Sequence, residues 1–250
     1  VTNKSSIDQQ QDMLAANIAA VRARITAAAQ KVDRDPADIT LVAVSKTKPL
    51  ELVQIAYNLG MRHFGENRVQ EALTKIAAFH PQDISWQMIG HLQTNKSNKV
   101  VGAFDCIHSV DSLHLAQTLQ RHAEKVSQER QTAFRQPILL QVNISGENTK
   151  EGLTAEEVFT VARQIVALPN LEVQGLMTVA PLVHDPEEVR PVFRNLRLLR
   201  DRLRNEVSEG SWHHLSMGMT DDYTVAIEEG ATIVRVGRAI FGEREQPPRQ

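Results

Sequence analysis

The chain of 250 residues has a single cysteine, Cys106, only two tryptophans and two tyrosines, and a net charge of −2. One thiol excludes an internal disulfide and fits a reducing compartment, the cytoplasm being the expectation. With 28 basic residues against 30 acidic ones, nothing draws the chain generally to nucleic acid or to acidic membranes. No apolar run approaches the ~20 residues of a membrane span. The polar opening VTNKSSIDQQQ lacks the apolar core of a signal peptide. No low-complexity linker and no repeat of fixed sequence divides the chain. Residues 1–11 and 243–250 therefore read as disordered tails around one domain, 12–242.

What the chain does have is a regular alternation. Leu14, Ile18, Val21 and Ile25 recur at helical spacing and predict an amphipathic helix from Met13 onward. The run 39–44, ITLVAV, is apolar and rich in β-branched residues, as a strand buried on both faces should be. Further strands are expected over 63–67, 84–90, 106–110, 137–145, 173–179 and 212–218, with an eighth inside 232–241. Helical stretches lie between them, over 49–59, 69–79, 95–101, 111–129, 154–168, from 185 or 186 to about 210, and 221–229. Asp111 is the expected cap of the fourth of these, and Thr154 with Glu157 has capping-box spacing. Strict alternation implies a parallel sheet with helices outside, and eight units in ~250 residues is the size of a (β/α)8 barrel. The rival is a doubly wound open sheet.

In such a barrel the chemistry sits at the carboxyl ends of the strands. Lys46 follows the first strand, in SKTKP, and Pro49 can open the next helix. A lysine in dry surroundings loses its proton more easily, and a neutral amine can attack an aldehyde to form a Schiff base. The plainer reading is a solvated lysine in a turn. The turns after strands seven and eight, Ser216-Met217-Gly218 and Gly237-Arg238-Ala239, combine a hydroxyl, glycines and a helix start, as a phosphate dianion requires. Each alone could be an ordinary turn. Lys46 and these turns become neighbours when the barrel closes, and a ligand with an aldehyde at one end and a phosphate at the other would bridge them. Pyridoxal 5′-phosphate has that shape. No His, Asp and Glu at the strand ends fall in a metal-ligand pattern, so no metal is expected. His213 and His214 are adjacent and point to opposite sides of a strand. His91 and Cys106 read as structural, and the Arg-rich stretch NLRLLRDRLRNE as a solvated helix face.

The segments LVAVSKTKP, HFGENRVQE, WQMIGHLQTNKSNK, GLMTV, LSMGMTDD and VRVGRAIFG, in this order from about Met13 to Gly242, resemble the signatures of the pyridoxal-phosphate homeostasis protein family. This is the YggS/PROSC type of the alanine-racemase N-terminal-like fold. The resemblance implies a single fold-type III barrel with an added N-terminal helix and no second β-domain. It implies that Lys46 carries pyridoxal phosphate as the Schiff base and that Asn67 lies beside the ring. It also implies that Ser216, Met217, Gly218, Gly237 and Arg238 form the phosphate site, and that Arg235 faces the ring nitrogen. Lys150 matches a loop lysine that takes up the cofactor transiently. Many relatives have threonine where this chain has Arg238, which leaves open whether the guanidinium replaces the lost hydroxyl.

The function so implied is non-catalytic storage, buffering or delivery of the cofactor, with apo-enzymes as recipients and amino-acid and keto-acid metabolism affected. The chain is expected to be a monomer. The alternatives are a pyridoxal-phosphate-dependent racemase and a barrel without cofactor. Against the racemase, Tyr57 and Tyr223 are the only tyrosines and neither lies at an expected strand end, where a second acid–base group would be needed.

Overall fold

In the computed structural model, which describes residues 6–147 and 151–243, eight parallel strands close into a barrel in sequence order. They are β1 (Thr40–Val44), β2 (His63–Glu66), β3 (Ser85–Met88), β4 (Cys106–Val110), β5 (Gln136–Gln141), β6 (Leu171–Met177), β7 (His214–Ser216) and β8 (Ile233–Val236). The connecting helices are α2 (Leu50–Asn58), α3 (Val69–Ala78), α4 (Ser97–Val100), α5 (Leu113–Arg130), α6 (Glu157–Val166), α7 (Arg190–Glu206) and α8 (Tyr223–Glu228), preceded by α1 (Ser6–Gln30) and followed by α9 (Arg238–Phe241). β1 pairs with β8 in the register Val42↔Arg235 as well as with β2, which closes the ring and excludes the open sheet.

Strand residues alternate between two hydrophobic populations. Ala43, Phe64, Met88, Ile107, Leu140, Leu176, Leu215 and Val234 join the large core between sheet and helices. Val42, Cys106, Leu139, Met177 and Ile233, one each from five strands, form a separate cluster that fills the barrel's interior. α1 lies against α2, α8 and α9, where the first and last units meet. It buries Leu14, Ile18, Val21 and Ile25 there, each worth ~1.5–3 kcal/mol when fully removed from water. Asn17 Nδ2 donates to the Ile240 carbonyl (2.9 Å) and Arg34 Nη1 to the Ile227 carbonyl (2.9 Å), which ties the two ends of the barrel together.

Several expected boundaries shift. α1 begins at Ser6 rather than Met13, so residues 6–11, expected within a disordered tail, are helical. The stretch has neither Pro nor Gly, and Asp8 in the first turn complements the helix dipole. Residues 1–5 and 244–250, the remainder of the two expected tails apart from Glu243, lie outside the described residues. The cap of α5 is Ser112, which accepts from Leu115 N (3.2 Å), and not Asp111. β5 stops at Gln141: Val142 N–H still donates to the Met177 carbonyl (2.8 Å), but Leu153 then returns to bond Gln141 and Asn143, forming an isolated bridge with Val142. The reciprocal hydrogen bonds between Thr154 and Glu157 form as their spacing predicts.

Candidate functional site

The residues singled out in the sequence gather on one arc of the barrel's carboxyl rim, at the ends of β7, β8, β1 and β2, four consecutive strands of the ring. Lys46 stands two residues past Val44, the end of β1. Asn67 follows Glu66 at the end of β2, Gly237 and Arg238 follow Val236 at the end of β8, and Ser216 ends β7. Lys150 lies outside the described residues.

The turn after β7 owes its course to Gly218. Its φ is +92°, and a Cβ there would lie 2.6 Å from Ala226 Cβ, so glycine alone lets α8 close onto the turn. Gly237 lies against β1, where a Cβ would come within 3.2 Å of the Val44 carbonyl oxygen. From here α9 starts, and the N–H groups of Ile240 and Phe241 both return to the Gly237 carbonyl (2.9 Å each). The N–H groups of Arg238 and Ala239, the first two of the helix, have no intrahelical acceptor. Met217 contributes nothing directed at a ligand: its side chain is core and its N–H donates to the Ile233 carbonyl (3.1 Å).

The hydroxyl of Ser216 is fully buried and belongs to a polar chain crossing the barrel interior. Arg235 Nη1 donates to Ser216 Oγ (2.6 Å) and Nη2 to the Thr178 carbonyl (2.8 Å). Ser216 Oγ lies 3.0 Å from His108 Nδ1, and His108 Nε2 lies 3.0 Å from Gln87 Oε1. Gln87 Nε2 donates to Ser85 Oγ (2.7 Å). Burial, with the Arg235 charge beside it, holds His108 well below its usual range and therefore neutral. These constraints give the chain one polarity: Arg235 donates to Ser216, the Ser216 hydroxyl to His108 Nδ1, and His108 Nε2–H to Gln87. Burial pushes the Arg235 guanidinium down to about 10, with the field of Asp222 opposing, so it stays charged at neutral pH. Among the described residues no carboxylate forms an ion pair with it, and its hydrogen-bond partners, a hydroxyl and a carbonyl, are neutral.

Two further groups bear on a ligand. Asn67 Oδ1 is buried without a hydrogen-bond partner, a state that costs ~1–3 kcal/mol until something donates to it. The Arg238 guanidinium turns outward instead, donating to Asp221 Oδ1 (2.6 Å) and lying 3.4 Å from Glu243 Oε1. It is thus engaged away from the rim, and the backbone N–H is what this residue offers there. Lys48 is likewise turned aside, onto the Glu243 carbonyl (2.9 Å).

Sequence reasoning overlooked His108 and Gln87, although a histidine on the same strand face as Cys106 is a signal in an otherwise apolar run. It also found no metal-ligand grouping, whereas the fold brings His91, Asp111 and Glu151 together with their ligand atoms within 4.8 Å of one another. His91 Nδ1 lies 2.9 Å from Glu151 Oε2 and 3.4 Å from Asp111 Oδ2, on the opposite arc of the rim after β3, β4 and β5. His214 is half-buried with Nδ1 3.4 Å from Thr232 Oγ1, and His213 is exposed, so the two do not act as a pair.

An amine, a buried cation with neutral partners, an orphaned amide oxygen and two glycine-bearing turns on one arc suit a planar, anionic aldehyde ligand. Comparison with known proteins points the same way. Residues 16–245 match the family model described as the alanine racemase N-terminal domain. The chain is 44% identical, over 89% of its own length and 94% of the relative's, to a protein of Aquifex aeolicus named pyridoxal phosphate homeostasis protein. It is similar to the structure of PipY from Synechococcus elongatus with pyridoxal phosphate bound, at 36% identity and a TM-score of 0.79, covering 92% of this chain and 100% of that one. An alanine racemase of Clostridium difficile shares the fold alone, at 14% identity and a TM-score of 0.71, and this chain spans 60% of its length.

Proposed function

The chain belongs to the alanine racemase N-terminal domain family, among the pyridoxal phosphate homeostasis proteins, and from that membership we propose that it binds pyridoxal 5′-phosphate on the β7–β8–β1–β2 arc and stores, buffers or delivers it without turning over a substrate. The observation that carries this is the convergence of Lys46, the two glycine turns and a buried Arg235 with neutral partners on adjacent strand ends.

When bound, the cofactor supplies an aldehyde carbon to an amine and an electron-withdrawing ring. Lys46 Nζ is the amine. The turns at Gly218 and Gly237, with the Arg238 N–H at the start of α9, would hold the phosphate, as suits backbone donors at a helix start. Ser216 acts from beneath, through Arg235. The Arg235 guanidinium would hold the ring nitrogen unprotonated, which would weaken the electron sink on which most such enzymes rely. The Asn67 amide, whose buried Oδ1 lacks a donor, would lie beside the ring.

Racemisation requires an acid–base group opposite the lysine. Tyr57 hydrogen-bonds Asp83, and Tyr223, the first residue of α8, is buried with its ring beneath Arg24, which favours the carrier over the racemase. We infer a monomeric carrier that yields its cofactor to apo-enzymes in the cytoplasm, a setting with which the buried free thiol of Cys106 is consistent. No helix among the described residues is long and apolar enough to cross a membrane.

The test is to load the protein with pyridoxal phosphate, add L-alanine, and follow both the absorbance spectrum and the stereochemistry of the amino acid. The spectrum should shift while the alanine stays L, a cofactor-free apo-enzyme added next should gain activity, and sedimentation should give one chain per particle. Racemisation at ~1 s⁻¹ or faster, lost in Lys46→Ala, would overturn the carrier reading in favour of an enzyme.

A further inference from the structure

Lys46 sits in a turn whose backbone is held from behind. Thr47, the next residue, has φ +64°. For a β-branched residue this left-handed conformation is unfavourable by ~1–2 kcal/mol and persists only where the surroundings enforce it. The enforcing groups come from β2 and α3. Glu71 Oε1 accepts from Thr47 N–H (2.6 Å), on the carboxyl side of Lys46. On the amino side, the Ser45 carbonyl accepts from Lys75 Nζ (2.8 Å) and Ser45 Oγ donates to Glu66 Oε1 (2.7 Å). Lys75 Nζ also donates to Glu66 Oε1 (2.7 Å) and to Glu71 Oε1 (2.8 Å). An ammonium has three donors, and Lys75 directs one to each of these three acceptors.

This lysine is 6% exposed and Glu66 is 0% exposed, so the pair is part of the core behind the β1–β2 edge, with Glu71 half-buried at its margin. Strand alternation sends Ser45 and Glu66 toward α3 and their neighbours Lys46 and Asn67 to the other face. Both residues flanking Lys46 are therefore anchored to one ammonium and its two carboxylates, and the same carboxylate that anchors Ser45 immediately precedes Asn67.

We propose that Lys75, with Glu66 and Glu71, is a positioning cluster that fixes the 45–47 turn so that the Lys46 amine is aimed at the ligand's aldehyde carbon and held in register with Asn67. Lys75 itself touches no ligand. The proposal rests on the reading of Lys46 as the lysine that joins the cofactor.

The experiment measures two quantities on the full chain and on Lys75→Met, Glu71→Ala and Glu71→Gln: the rate at which borohydride-reducible pyridoxyl accumulates on Lys46 after mixing, and the total cofactor retained at equilibrium without reduction. Thermal unfolding of the cofactor-free proteins is followed in parallel. Glu71→Ala leaves the buried Lys75–Glu66 pair intact, so it reports even where Lys75→Met folds poorly. Attachment to Lys46 should slow roughly tenfold or more in Lys75→Met and Glu71→Ala, as expected for a misaimed nucleophile, while total retention, governed by the phosphate turns, changes roughly threefold or less. Glu71→Gln, which keeps an acceptor for Thr47 N–H, should attach at nearly the parental rate. Parental rates in Lys75→Met and Glu71→Ala would overturn the positioning role. So would equal slowing in Glu71→Ala and Glu71→Gln, since charge and not the hydrogen bond would then matter. If the unsubstituted chain puts no pyridoxyl on Lys46, the cofactor reading fails first and takes the proposal with it.

Discussion

Arg235 and Lys75 are both buried cations within a few residues of the rim, and they are treated in opposite ways. Lys75, on the helix side of β2, meets two carboxylates, Glu66 Oε1 at 2.7 Å and Glu71 Oε1 at 2.8 Å, plus a carbonyl. Arg235, inside the barrel, meets a serine hydroxyl and a carbonyl. A buried charge is expensive unless paired. Pairing Lys75 with carboxylates makes it a structural element whose charge is cancelled in place. Leaving Arg235 with neutral partners keeps its field available to whatever occupies the rim. The contrast separates the group that holds the site from the group that acts on a ligand.

The largest effect should come from breaking the paired side. Lys75→Met leaves Glu66 buried without its cation, and removing one partner of a buried pair costs ~3–5 kcal/mol. Denaturant unfolding of the cofactor-free protein should register that loss. Arg235→Met should lose less stability and chiefly affinity: ~1.5–3 kcal/mol of pyridoxal-phosphate binding, read by equilibrium titration, with a smaller loss for a ligand lacking the ring nitrogen. If Arg235→Met destabilises the empty protein more than Lys75→Met does, the distinction collapses. Next is the phosphate side. A bulky residue at Gly237 should weaken binding of pyridoxal phosphate far more than that of unphosphorylated pyridoxal. Equal losses for both ligands would move the phosphate elsewhere.

The smallest effect is one of pH. Burial pushes the Glu66 carboxyl above its usual range, with the hydrogen bonds from Lys75 and Ser45 opposing. A carboxyl raised on folding binds its proton more tightly in the native state, so its contribution to stability falls as pH rises from the usual carboxylate range through the raised value. Glu229 behaves oppositely. Burial raises it, but the guanidiniums of Arg194, Arg190 and Arg197 together bring it below its usual range. Its contribution is present above that range and is lost as pH falls through the lowered value. Unfolding measured from acid to neutral pH should show Glu66→Gln gaining on the parent as pH rises. Glu229→Gln should narrow its deficit as pH falls.

The barrel was legible because short extended runs, β-branched in β1 and β8, alternate with helical periodicity, and because Lys46, Ser216 and Arg235 each sit at or beside the end of such a run. Strand ends were less legible. The stretch after Gln141 remains apolar enough to look extended, and what replaces strand pairing there, the return of Leu153 onto Gln141 and Asn143, has no local signal. Helix starts suffered from the reverse problem. Residues 7–12 of α1 are exposed and need no apolar period, so 6–11 looked unstructured. Long-range polar partners were the least legible of all. His108 and Ser216 are 108 positions apart, and neither sequence neighbourhood signals the other. Lys75 had a local trace, since it shares the inward face of α3 with Val69 and Ala72, but its carboxylate and carbonyl partners come from separate elements.

The central claim, that one lysine among several near this rim joins the cofactor because of where its strand ends, is tested most directly by borohydride reduction of the loaded protein followed by peptide mass analysis. The expected result is a pyridoxyl group on Lys46 alone, absent from Lys46→Ala although that variant still binds the phosphate. Label on Lys48, Lys75 or Lys150 at comparable yield, or label undiminished in Lys46→Ala, would contradict it.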